Sequence, residues 1–331
     1  MSLPTMEHVR LGRTGLSVSR IGLGAMGMGD PGWRSWVLDE AASAPLIARA
    51  LDLGINFFDT SDFYSAGASE EVLGRRLVGA VPRDELVIAT KVGNPMGRGP
   101  NARGYSRKHI LHAVEQSLRR LRTDHIDLYQ THIWADSAPL EETVAAFDTL
   151  VRQGKILHAG ITTMPAWQLA RAIGIAERDG LARFASAQNH YNLCYREDEK
   201  ETIPLCRAEG LALIPFSPIA RGFLAGNRGA AGEGPTERAR TDEYAHKWYY
   251  REGDMAVLER VREVAGRLGA EPAQVALAWV LAKPGITAPI VGATAVAQLE
   301  AAVAALALRL EPADLAFLEE PYQPRWGAAL G

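Results

Sequence analysis

The sequence predicts an α/β fold, a (β/α)8 TIM barrel in a single domain, from three observations. Short apolar or β-branched runs recur along the chain, stretches of helical periodicity separate them, and no composition shift or linker marks a second domain. The runs are Arg20–Gly24, Ile55–Asp59, Leu86–Thr90, Ile126–Gln130, Leu157–Thr162, Phe184–Gln188, Ala212–Pro215 and Thr287–Val291. Their starts are mostly 27 to 40 residues apart, the size of one strand–helix unit. Eight such units close into a barrel or lie open as a doubly wound sheet.

Before the first run, Val9–Ser19 carries Gly12 and Gly15 between short extended pieces and predicts an N-terminal β-hairpin closing the barrel bottom. The first run leads into Ile21-Gly22-Leu23-Gly24-Ala25-Met26-Gly27, which contains GxGxxG. That fingerprint binds a dinucleotide only where a helix follows directly, because the pyrophosphate sits on the helix N-terminus. Here Met28-Gly29-Asp30-Pro31-Gly32 follows and cannot start a helix cleanly, so the glycines read as a loop above the strand. Ser106 reads as a helix N-cap, with Ile110, Val114, Leu118 and Leu121 at helical spacing behind it. Similar stripes are Leu140, Val144, Phe147 and Val151; Leu258, Val261, Val264 and Leu268; and Leu299, Val303, Leu306 and Leu310. One long interruption, Ser217–Gly253, is rich in charge, aromatic residues and glycine (Gly226, Gly229, Gly232, Gly234). A loop of that length is usually a lid or a binding loop, here over the C-terminal mouth.

Composition narrows the function classes. A chain of 331 residues with 47% hydrophobic residues buries a large core without cross-links. Its net charge of -3 gives no reason to expect nucleic acid or an anionic membrane as a partner. Cys194 and Cys206 form no CxxC pair, and acidic and histidine residues are scattered, so neither a disulfide framework nor a metal site is predicted. Met1–Arg20 has no apolar run, and no stretch of about 18 apolar residues occurs anywhere. Reduced thiols without an export signal predict the cytoplasm. The helix faces carry no interface pattern, so the oligomeric state stays open.

The strand ends carry the chemistry. Asp59 closes the second run, Tyr64 follows in the next loop, Lys91 comes just after the third run and His132 just after the fourth. In a (β/α)8 barrel the C-terminal strand ends converge on one mouth, so these four would share a pocket. A hydride added to a carbonyl carbon leaves charge on oxygen that needs a proton. Tyrosine is a weak acid with a pKa of about 10, which a neighbouring lysine lowers. A carboxylate such as Asp59 would hold that lysine charged and oriented. His132 would donate a hydrogen bond to the carbonyl oxygen.

In these residues and their neighbours the chain resembles the aldo-keto reductase family. The resemblance is carried by Asp59-Thr60 with Tyr64, Gly67 and Ser69-Glu70-Glu71-Val72-Leu73-Gly74, by Ala89-Thr90-Lys91-Val92, and by Leu128-Tyr129-Gln130-Thr131-His132 with Pro139-Leu140-Glu141-Glu142-Thr143. It covers essentially the whole chain. It implies Tyr64 as general acid, Lys91 and Asp59 as its tuning pair, and His132 as the group that orients the carbonyl. It also implies an extended NADP(H), with NAD(H) as the other option, lying across the mouth. Thr162 and Thr163 fall where the family often has a pair gripping the carboxamide, Gln188 resembles the carboxamide partner, and Phe216 would stack on the nicotinamide. Ser217, Pro218, Ala220 and Gly222 resemble a loop over the pyrophosphate. Gly292 and Thr294 fit a phosphate site after the last strand. Gln298 and Ala302 stand where many relatives carry Arg and Asn, which thins the clamp for a 2′-phosphate.

For the substrate, a small carbonyl compound, the candidate walls are Trp33, Trp36, Phe63, Trp134 and the Trp248–Tyr250 cluster. The stretch from Gln188 to Arg196 and the pair Pro321-Tyr322 resemble a bacterial branch of the family. Voltage-gated potassium-channel β subunits also resemble the family, so the alternative is a nucleotide-binding regulatory module without significant turnover.

Overall fold

The computed structural model describes residues 3–226, 228–229 and 234–325. Gly232 of the long loop and both ends of the chain, with Met1 among them, lie outside the described residues. Strands β1 (His8–Arg10) and β2 (Ser17–Ser19) pair antiparallel in a hairpin. The next eight are β3 (Gly22–Gly24), β4 (Phe57–Asp59), β5 (Val87–Val92), β6 (Ile126–Thr131), β7 (Ile156–Thr162), β8 (Phe184–Gln188), β9 (Ala212–Leu213) and β10 (Ile290–Val291). They form one parallel sheet in the order β10-β3-β4-β5-β6-β7-β8-β9. Bridges from Leu213 to Ile286 and from Phe216 to Ile290 join its two edges, and the Ile290 amide donates to the Pro215 carbonyl at 2.8 Å. The fold is therefore a (β/α)8 barrel, not an open doubly wound sheet.

The expected strands lie close to the observed ones, except near the closure. There Ile214–Pro215 and Thr287–Pro289 drop out of the ladder. Pro215 and Pro289 have no amide to donate, so pairing falls to isolated bridges.

Helices α1 (Glu40–Asp52), α2 (Ala68–Arg76), α3 (Arg107–Leu121), α4 (Leu140–Arg152), α5 (Ala166–Asp179) and α6 (Thr202–Glu209) follow β3 to β8 in turn. Ser106 caps α3 by accepting the His109 amide at 3.3 Å, and the stripe Ile110, Val114, Leu118 and Leu121 is buried. The long segment after β9 holds two short helices, α7 (Glu237–Thr241) and α8 (Glu243–Trp248), then α9 (Glu252–Leu268) and α10 (Pro272–Ala282). Helix α11 (Val296–Ala304) follows β10 and α12 (Pro312–Glu319) comes last. The stripe expected through Leu310 stops short, because the chain tightens into a 3-10 turn at Ala305–Ala307. Among the described residues no helix is long and apolar enough to cross a membrane.

The hairpin plugs the barrel bottom. Leu11 and Val18 are fully buried against Phe57, Val87, Leu128, Ile214 and Ile290 of the barrel interior. Gly12 makes the approach possible at φ 57°, since a Cβ there would lie 2.7 Å from the Ala212 amide and the Gly210 carbonyl. The glycines of the GxGxxG stretch have a packing reason as well. A Cβ on Gly22 would meet Ile290 Cδ1 at 2.7 Å, and one on Gly24 would meet Ile290 Cγ2 at 2.8 Å. Only a 3-10 turn, Ala25–Gly27, follows them, in keeping with the loop read from the sequence.

Candidate active site

The barrel mouth opens into a cavity of about 560 Å³. Two of its polar lining groups, Asp59 and His132, stand at or just beyond the C-terminal ends of β4 and β6, and Tyr64 lies on the loop after β4. Lys91, on β5, is fully buried behind the wall. Its Nζ contacts Asp59 Oδ1 at 2.5 Å and donates to the Thr60 carbonyl at 2.8 Å. The other Asp59 oxygen accepts from Gln188 Nε2 at 2.9 Å and Gln130 Nε2 at 3.2 Å. A buried ion pair is stable only when its remaining lone pairs are satisfied, and these two amides satisfy them.

Lys91 Nζ stands 5.2 Å from the centre of the Tyr64 ring, and the His132 ring meets that ring edge-on at 5.4 Å. Burial pulls the Lys91 ammonium down, but Asp59 and Tyr64 outweigh it, so the lysine stays charged. For Tyr64 the sequence expectation reverses in sign. Burial raises the phenol, Lys91 pulls it back only in part, and the net shift is upward. Tyr64 therefore stays protonated until a partner draws the proton away.

Burial and the Lys91 charge hold His132 well below the ordinary imidazole range, so the ring is neutral. Asn94 Nδ2 lies 2.8 Å and Ser61 Oγ 2.9 Å from His132 Nδ1. An amide nitrogen only donates, so Nδ1 is the acceptor and Nε2 carries the hydrogen.

Of the expected cofactor residues, Thr162, Thr163, Gln188, Phe216, Ser217, Pro218, Gly222, Gly292, Thr294 and Gln298 line this cavity. Ala220 does not; it is fully buried. Among the expected walls, Trp33, Phe63 and Trp248 line it. Trp36 is buried under the Arg238 guanidinium, 4.4 Å from its ring centre. Trp134 faces elsewhere, stacked on Tyr105 at 5.1 Å.

Backbone strain gathers around the mouth. Ser65, Ala66, Thr163, Ser217, Ala220, Arg221 and Tyr250 all have positive φ without being glycine. Several side chains there are also short of partners. Thr162 Oγ1, Arg221 Nη2 and Arg228 Nε are buried without a hydrogen bond.

Three arginines were not singled out from the sequence. Arg221, Arg228 and Arg238 all line the cavity from the long loop. Asp242, fully buried, accepts from Arg221 Nε at 2.9 Å and from Arg238 Nε at 3.0 Å, so one carboxylate holds two guanidinium groups. Arg228 Nη2 donates to the Arg221 carbonyl at 2.7 Å. The charge of Ser217–Gly253 was visible in the sequence, but nothing in its spacing told which arginines turn inward. Ser61 and Asn94 also escaped notice, since neither type stands out near a strand end. Among the described residues no group of three or more His, Cys, Asp or Glu is placed to hold a metal ion.

A family model described as the aldo/keto reductase family matches residues 20–322. A versiconal hemiacetal acetate reductase of Aspergillus parasiticus is 41% identical over 97% of this chain and 98% of its own length. A Schizosaccharomyces pombe protein named as an aryl-alcohol dehydrogenase is 39% identical over 95% of each chain. An aldo-keto reductase of Metarhizium robertsii is 37% identical over 98% of this chain and 93% of its own. These relatives are fungal, so they lend no support to the resemblance to a bacterial branch.

Proposed function

The chain belongs to the aldo/keto reductase family and is an NAD(P)H-dependent oxidoreductase, and from that premise we propose that it reduces a small aldehyde or ketone, prefers NADPH, and uses Tyr64 as general acid. The observation that carries this reading is the juxtaposition at the mouth. Tyr64, His132 and Asp59 line one cavity, while Lys91, paired with Asp59, is buried behind its wall.

The residues present fit a nicotinamide dinucleotide. Thr162 Oγ1 is a partnerless hydroxyl beside Gln188, suited to an amide headgroup, and Phe216 offers a ring face. Partnerless nitrogens on Arg221 and Arg228 suit phosphate oxygens. Partial burial and the Arg221 charge pull Arg238 down to about 10, a stress that a phosphate would relieve. These loop arginines make up for the basic group missing at Gln298, and they are the basis for preferring NADPH. Gln298 has another task, since its Oε1 accepts the Thr294 amide at 2.8 Å.

When bound, the nicotinamide supplies the hydride. The His132 Nε2–H orients the carbonyl oxygen, and the Tyr64 hydroxyl gives up its proton as charge develops there. Lys91, held by Asp59, stabilises the tyrosinate that remains. The walls Trp33, Phe63 and Trp248 favour a flat or apolar carbonyl compound, in keeping with relatives named for a hemiacetal acetate and for aryl alcohols.

The test is a fluorescence titration with NADPH and NADH, followed by nicotinamide absorbance with a panel of aldehydes and ketones. Tighter NADPH binding and oxidation on adding a carbonyl are expected. Binding without turnover across the panel would favour the regulatory module, and failure to bind either nucleotide would overturn the reading.

A further inference from the structure

Asp62 has no part in the scheme above, yet it is buried two residues from Tyr64 at 1% exposure. Its Oδ2 has no hydrogen-bond partner, and its Oδ1 lies 3.2 Å from Ser61 Oγ. The same Ser61 oxygen lies 2.9 Å from His132 Nδ1 and accepts the Phe63 amide at 3.1 Å. The groups packed around Asp62 offer its charge little support. Glu70 faces it from α2 and Arg120 from α3, but Glu70 already takes Arg120 Nε at 2.6 Å and the Thr90 hydroxyl at 2.6 Å. Tyr129 on β6 and Tyr105 before α3 are the other titratable neighbours, and both are buried phenols.

The Ser61 hydroxyl has one hydrogen and two acceptors within reach, Asp62 Oδ1 and His132 Nδ1. We propose that Asp62 is a positioning residue that keeps its own proton, donates it in a hydrogen bond to Ser61, and so directs the Ser61 hydrogen onto His132 Nδ1. Every donor in the chain then points toward the cavity. Ser61 accepts from Asp62 and Phe63 and donates to Nδ1, which leaves the imidazole hydrogen on Nε2. If Asp62 loses its proton, the Ser61 hydrogen turns back to the carboxylate. The imidazole then places its hydrogen on Nδ1, the Asn94 amide rotates to present its oxygen, and Nε2 faces the carbonyl oxygen with a lone pair. One proton is lost overall, from Asp62 to solvent, while the imidazole exchanges its hydrogen with solvent and stays neutral; the relay only decides which ring nitrogen is the donor.

Burial, then Glu70, raise the Asp62 carboxyl to about 8, so the switch falls in mildly alkaline solution. The inference rests on the role proposed for His132, so its test has one arm that needs no turnover. Nitrogen NMR of the imidazole, on the full chain without substrate, should show His132 as the Nε2–H tautomer at neutral pH. It should pass to Nδ1–H with a midpoint of about 8. Asp62→Asn, whose amide donates at every pH, should hold the Nε2–H form throughout. In the second arm, wild-type kcat/KM should fall about tenfold per pH unit above the midpoint, as for one essential proton, while Asp62→Asn removes that limb. A His132 tautomer unchanged in the wild type, or changing alike in Asp62→Asn, would overturn the relay even in an active enzyme. Tautomer exchange without any turnover would support the relay and count instead against the reductase reading.

Discussion

Tyr64 is the residue whose removal should cost the most for the least structural change. Tyr64→Phe keeps the ring that packs against His132 and takes away only the hydroxyl. Carbonyl reduction should fall by at least about a hundredfold, as for loss of a general acid, with nucleotide affinity kept. Single-turnover kinetics beside a binding titration would separate the two. Lys91→Met should cost as much and also destabilise, because it leaves Asp59 ionised, buried and held only by Gln188 and Gln130. Asp62 acts on stability with a definite sign. Its carboxyl is raised in the folded chain, so the native state keeps a proton that the unfolded chain releases from about 4 upward. Native stability is therefore drawn down as pH rises from there to about 8. Asp62→Asn should raise Tm near neutral pH and leave it unchanged in strong acid, where both states hold the proton. These residues differ in how far the sequence revealed them. Asp59, Lys91 and His132 lie at strand ends, where the barrel rule says chemistry converges. Asp62 and Asn94 do not, and only the burial of Asp62 and the Asn94 contact with His132 bring them forward.

At the scale of elements, the hairpin and the long loop do opposite work at opposite ends of the barrel. The hairpin was legible because Gly12 and Gly15 punctuate short extended runs, and it seals the bottom with Leu11 and Val18. Leu11→Ala should lower stability by about 2 to 5 kcal/mol, measured by urea unfolding, with kcat nearly unchanged. The loop was legible as an interruption, but its inward face was not, since Arg221 and Arg238 turn inward only because Asp242 is buried between them. Asp242→Ala should free both guanidinium groups from their fixed positions. NADPH affinity should then drop about tenfold or more, through loss of preorganisation, while the bottom of the barrel and the Tyr64 site stay intact. Gln298→Arg would add charge on the other side of the cavity. Selective tightening of NADPH over NADH in a titration is expected, and equal tightening would mean the position does not read the 2′-phosphate.

At the scale of the whole molecule, the repeat of strand and helix was readable because its two periods are distinct, and the helices sat where the apolar stripes predicted apart from the shortened last one. What the pattern could not give is the closure, because β9 and β10 are joined by bridges rather than by a continuous ladder. Such a hoop is weakest at that one joint. The cavity straddles that joint, with Phe216 and Ser217 on one side and Ile290 and Gly292 on the other. A ligand filling the cavity would touch both sides of that joint and tie them together. Amide exchange at Ile290 should be faster than at the paired centre of β6 in the free protein, and should slow selectively once NADPH is added. A loaded molecule should therefore resist proteolysis and heat better than an empty one.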